Sequence, residues 1–181
     1  MTRALIVIDV QESFQQLPNW AEISDPDIVE KAGRLVDAAR AAGDQVIWVL
    51  HTEPGSDNVF DPAGGHVRLI DGLKAESGEP TLYKTSHNAF TTTNLAQRLT
   101  AAGIRELVIC GIRTEQCCET TARVGSDLGY GITFVTEATA TQPITIGGKT
   151  LGVDEIKERT EFALAGRFAT IASIADIAGL S

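Results

Sequence analysis

The sequence predicts an α/β fold of three layers, α/β/α and Rossmann-like, with a mostly parallel six-stranded sheet and helices on both faces. Three observations lead there. Short uninterrupted apolar runs such as ALIVI (4–8) and ELVICGI (106–112) read as strands buried on both faces. Segments of helical spacing lie between these runs, and most of them stop at a glycine. Parallel neighbours require crossover connections of this kind.

In order, strand one (4–8) ends abruptly in Asp9. A helix over 26–43, entered through Asp25-Pro26, places Ile28, Ala32, Leu35, Val36 and Ala39 on one face and stops at Gly43. QVIWVLH (45–51) is strand two. Residues 52–80 are rich in Gly, Pro, Asp and Ser, which predicts an ordered loop with a short helical turn. TLYK (81–84) is strand three, and Leu95, Leu99 and Ala102 mark a helix closed by Gly103. After strand four (106–112), Thr114 is placed to cap a helix reaching about Leu128, with Gly129 as its stop. GITFVT (131–136) is strand five, a helix covers roughly 153–165, and FATIAS (168–173) is the last strand.

Composition narrows the functional classes. With 181 residues and 43% hydrophobic content, residues 1–181 are expected to form one domain with a substantial core. The apolar stretches are short and broken by charge, so neither a membrane span nor a secretory signal is expected. Three cysteines, two of them adjacent, do not suit a disulfide framework, and a cytoplasmic location is expected. A net charge of −9 without a basic cluster disfavours nucleic acid and anionic membranes as partners. A small-molecule substrate fits better.

In an open parallel sheet the ligand crevice lies beyond the carboxyl ends of the strands, near the reversal of strand order. Asp9 and Lys84 end strands one and three there, and Cys117 follows strand four. Each has an ordinary explanation alone: Asp9 as a loop cap, Lys84 as a solvated strand end, Cys117 as a small apolar filler. Their coincidence on one edge is the signal. Near a helix start, Cys117 would also gain thiolate character from unpaired N–H groups. Cys118, in a row with Ala122 and Gly125, suits the sheet-facing side, and Cys110 lies inside a buried strand.

The chain resembles the isochorismatase-like cysteine hydrolases, a family that includes nicotinamidases and N-carbamoyl-amide hydrolases. ALIVIDVQESF is similar to the family's first strand with its Asp-x-Gln. YKTSHNAFTTTNLAQRL and ICGIRTEQCCETTARVGSDLGY are similar to its Lys and Cys segments, in the same order. The resemblance implies Asp9, Lys84 and Cys117 as a catalytic triad, Cys117 being chosen because Thr121-Ala122 stands at the family's offset. It also implies a cis peptide between Ile112 and Arg113, an oxyanion hole built from the N–H groups of Arg113 and Cys117, and a homodimer or homotetramer. The implied activity is an amidohydrolase acting on C–N bonds other than peptide bonds.

Nicotinamidases of the family bind a metal through an Asp-x-His pair and further histidines. This chain has His51-Thr52-Glu53 there, with only His66 and His87 besides. No metal and no cofactor are expected, although His51, Glu53 and His66 leave a sparse site open. Gln11, Phe14, Trp20, Phe60 and the side chain of Arg113 are candidate substrate contacts, and the Arg113 cation could select a carboxylate. PITIGGKT (143–150) ends like a phosphate-binding loop, but Pro143 stands where its first glycine belongs, so no nucleotide is expected. Three alternatives stay open: a non-enzymatic binding or regulatory protein that keeps the fold, a vinyl ether hydrolase of the isochorismatase type, and a flavodoxin-like redox domain.

Overall fold

The computed structural model describes residues 3–179. Its strands are β1 (Arg3–Ile8), β2 (Gln45–His51), β3 (Thr81–Lys84), β4 (Glu106–Ile112), β5 (Gly131–Ala140), β6 (Ile144–Ile146), β7 (Lys149–Leu151) and β8 (Thr170–Ile171). Six form one sheet in the order β3-β2-β1-β4-β5-β8, and every pairing in it is parallel. The chain winds outward from β1 to β3 and returns to β4, so strand order reverses between β1 and β4. This order is that of dinucleotide-type sheets and differs from the flavodoxin order.

The helices are α1 (Glu12–Gln15), α2 (Ile28–Ala42), α3 (Leu95–Ala101), α4 (Glu119–Asp127), α5 (Val153–Leu164) and α6 (Ile174–Ala178). Strand side chains alternate between two cores because successive residues point to opposite faces. Ala4, Ile6, Ile8, Leu107 and Ile109 pack with Leu95 and Leu99 of α3 and Ala122 of α4. Leu5, Val7, Val108 and Cys110 pack with Leu35, Val36 and Ala39 of α2 and Ile174 of α6. The five α2 residues predicted to face the sheet are all buried, and Gly43 ends the helix in a left-handed conformation. Full burial of a leucine such as Leu35 contributes about 1.5–3 kcal/mol.

Three elements depart from the sequence expectation. β5 continues to Ala140 rather than ending at 136, through a register shift against β4 between Ile109 and Gly111. The last strand keeps only Thr170–Ile171, because the N–H groups of Phe168 and Ala169 turn back to the Leu164 carbonyl and close α5. The 143–150 segment forms the small antiparallel hairpin of β6 and β7. The 52–80 loop is ordered as expected: Pro62–Gly64 form a helical turn capped by Asp61, and Glu12 and Ser13 donate backbone N–H groups to the carbonyls of Arg68 and His66.

The reversal point depends on one glycine. A Cβ at Gly111 would stand 1.9 Å from the Ile8 carbonyl oxygen, at φ +132°. Only glycine lets the end of β4 lie this close to the end of β1. That approach brings the turn carrying Cys117 beside Asp9.

Candidate active site

Asp9 leaves β1 in a left-handed conformation, φ 53°, which aspartate tolerates better than most residues. Its N–H still donates to Val49, while its carbonyl accepts from Gln11 N–H at 2.8 Å. The chain therefore turns sharply at the sheet edge, with the carboxylate beneath a cavity of about 450 Å³. Lys84, two strands away, is fully buried and reaches under β2. Its Nζ lies 2.8 Å from Asp9 Oδ2, 3.4 Å from Cys117 Sγ and 3.2 Å from the Ser86 carbonyl, so each of its three protons has a neighbour. Asp9, Lys84 and Cys117 are thus brought together at the cavity floor.

The charged pair is fully buried. Burial raises the pKa of Asp9 above its ordinary 3.8, and Lys84 only partly offsets this. Burial alone would lower the ammonium of Lys84, but its interactions with Asp9 first and Cys117 second outweigh it and raise its pKa. Lys84 and the Cys117 thiol are the two groups that face the Asp9 carboxylate, and both favour its ionised form against burial. The thiol of Cys117 is pushed up to about 12, by burial first and by the Asp9 carboxylate second. The shift runs opposite to the thiolate character expected of a helix start, and desolvation is its main cause.

The turn itself also differs from expectation. Residues Thr114–Cys118 form a single π-helical turn, with Arg113 at its cap position. Thr114 caps nothing; its hydroxyl donates to Thr139 Oγ1 at 2.8 Å inside the core. The Arg113 carbonyl accepts the N–H groups of Gln116 and Cys118 and passes over that of Cys117. Thr121 fixes the turn from behind, its hydroxyl donating to the Cys117 carbonyl at 2.6 Å and accepting the Ala89 N–H at 3.1 Å. The peptide between Ile112 and Arg113 is cis. Cys118 points into the sheet-facing core with Ala122, and Cys110 is buried in the opposite core.

Phe14 and Phe60 meet edge to face, with centroids 5.2 Å apart, and form an apolar wall of the cavity. Arg113 lines it as well. Gln11 and Trp20 do not. Gln11 is fully buried and turns its amide away from the cavity, accepting the His51 N–H at 2.7 Å and donating to the His51 carbonyl and to Ser13 Oγ, each at 3.0 Å. It extends the β1–β2 pairing by one side chain. Trp20 lies in a short helical turn packed on the α2 side of the sheet.

The three residues of the sparse metal set are not gathered. His51 Nε2 pairs with Glu53 Oε1 at 3.0 Å, whereas His66 Nδ1 faces Glu12 at 3.3 Å. Among the described residues no three His, Cys, Asp or Glu side chains are grouped to hold a metal. Glu53, whose second oxygen accepts from Asn58 at 2.6 Å, is held ionised by those hydrogen bonds, and with His51 it lines the cavity. The sequence reading missed His87 and Gln116, which also line it. The available signal was proximity: Gln116 precedes Cys117, and His87 lies three residues past Lys84.

Among the described residues no helix is long and apolar enough to cross a membrane. A model of the isochorismatase domain matches residues 3–172. The isochorismatase family protein YddQ of Bacillus subtilis is 29% identical over 172 residues, 94% of this chain and 96% of that protein. The ureidoacrylate amidohydrolase RutB of Caulobacter segnis is 26% identical, covering 98% of this chain and 85% of that protein. The crystal structure of a cysteine hydrolase from Pseudomonas syringae pv. phaseolicola superposes with a TM-score of 0.90 at 25% identity, covering 98% of this chain and 91% of that one.

Proposed function

Because this chain belongs to the isochorismatase family of hydrolases, we propose that it cleaves the C–N bond of a small-molecule amide or ureido compound through a thioester on Cys117. The observation that carries the reading is the contact of buried Lys84 with both Asp9 and Cys117, at 2.8 and 3.4 Å. At rest the group holds a carboxylate, an ammonium and a neutral thiol. When Asp9 takes the thiol proton, the negative charge moves to sulfur, still within reach of Lys84. Net charge is unchanged, so no new ion has to be desolvated. Asp9, with its pKa raised by burial, is a better proton acceptor at neutral pH than an ordinary aspartate.

The thiolate then attacks the carbonyl carbon. The N–H groups of Arg113 and Cys117 are the donors assigned to the oxyanion, each worth about 3–4 kcal/mol in comparable sites. Protonated Asp9 gives its proton to the departing amine, and its carboxylate then activates the water that hydrolyses the thioester. The test is ammonia release from a panel of small primary amides and ureido compounds. Turnover by the wild type that disappears in Cys117→Ala supports the mechanism, and turnover that survives it refutes the mechanism.

A further inference from the structure

The cavity over Cys117 is lined by a cationic side chain that has no carboxylate partner of its own among the described residues. Arg113 lines it, and among the described residues its guanidinium is paired with no Asp or Glu. Its partner is the amide oxygen of Gln142. Gln142 is fully buried, and its Nε2 donates to the Asn19 carbonyl at 2.5 Å. That second bond fixes the amide's orientation, since only the nitrogen can serve a carbonyl, which leaves the oxygen for Arg113. The segment is anchored next door as well, where Thr141 donates its hydroxyl to Glu115 at 2.6 Å and its N–H to Ser24 Oγ at 3.0 Å.

A carboxylate at position 142 would orient Arg113 and also cancel its charge. A neutral amide orients it and leaves the charge for a ligand. We propose that Gln142 is a positioning residue that presents Arg113 to a carboxylate on the substrate, so that the enzyme's substrates are small amides or ureido compounds bearing a carboxylate. This rests on the hydrolase reading of the same site. The other charges of the cavity agree with it. Asp9 and Lys84 are paired with each other, and Glu53, though ionised, has its two oxygens engaged by His51 and Asn58 rather than by Arg113. Gln142 uses one of five guanidinium N–H groups, so donors remain for a carboxylate.

The experiment measures binding of malonamate, succinamate and glutaramate, and of their methyl esters, to the Cys117→Ala protein, which cannot turn them over. At one or more chain lengths the acid should bind about tenfold tighter than its ester. Arg113→Gln and the near-isosteric Gln142→Glu, each added to Cys117→Ala, should bring that ratio close to one. Esters binding as tightly as acids at every length would overturn the proposal. So would an acid preference that survives Gln142→Glu in a folded protein. The two readings fail separately: acid preference without ammonia release by the wild type removes the hydrolase reading, whereas hydrolysis without acid preference removes this one.

Discussion

Among the described residues, two buried aspartates are paired with lysine beside cavities of nearly equal size, about 450 Å³ over Cys117 and about 470 Å³ beside Asp25, and the two centres are built in opposite ways. Asp25 is bonded on both oxygens, by Lys31 at 2.5 Å, Lys157 at 2.7 Å and Ser24 at 2.6 Å. Burial opposes its ionisation, but these bonds prevail and its pKa is lowered. Asp9 is more deeply buried and has one lysine and a raised pKa. Satisfied charges tie α5 to the start of α2, whereas under-satisfied charges are poised to move a proton. Cavity size alone would not have separated the two.

Asp9→Asn should break the comparison most severely. Activity should fall by at least about 10³-fold, and stability by about 3–5 kcal/mol as Lys84 is left buried and unpaired. Asp25→Asn should leave turnover nearly intact while lowering stability by about 1–3 kcal/mol. Turnover assays and urea denaturation of both variants check this pair, and a loss of activity in Asp25→Asn comparable to that in Asp9→Asn would erase the distinction.

Next in size is thiol reactivity. With its pKa near 12, Cys117 should present roughly 10³-fold less thiolate at pH 7 than a free cysteine. Alkylation by iodoacetamide in the absence of substrate should be correspondingly slow, and a rate above that of free cysteine would contradict the resting state described here.

The pH dependence of stability should differ in sign between the centres. Asp25, with a lowered pKa, stabilises the fold above its ordinary 3.8 and loses that contribution as pH falls through the lower folded value. Asp9, with a raised pKa, favours the fold below 3.8 and loses that contribution as pH rises through its folded value. The stability gap between wild type and Asp25→Asn, measured by urea denaturation, should therefore begin to narrow below about pH 4 and close as pH falls through the lowered folded value. A gap that persists undiminished to about pH 3 would show that Asp25 contributes by packing instead. Smallest of all, Cys118→Ala should cost about 1 kcal/mol and leave activity unchanged.

Much of this was legible in the sequence because it depends on short-range pattern. The apolar runs 4–8 and 106–112 specify strands buried on both sides, and their ends place Asp9 and Cys117 at one edge. The spacing of Cys118 with Ala122 points it into the sheet, as observed. What was not legible depends on contacts between distant residues. Gln11 reads as a pocket residue until its amide is seen to be bonded to the backbone of His51, 40 positions away, and to the Ser13 hydroxyl. Thr114 reads as a cap until Thr139 claims its hydroxyl. The protonation of Cys117 follows from the desolvation of its surroundings, which no local spacing encodes. Gln142 has no motif around it and gains meaning only from Arg113 and Asn19.

The most direct test of the central claim is intact-mass and peptide mapping of the enzyme quenched during turnover of a slowly hydrolysed amide. The account predicts a mass increment equal to the acyl group, located on Cys117 and absent from Cys118. Sustained turnover with no increment on Cys117, or with the acyl group on another residue, would contradict it.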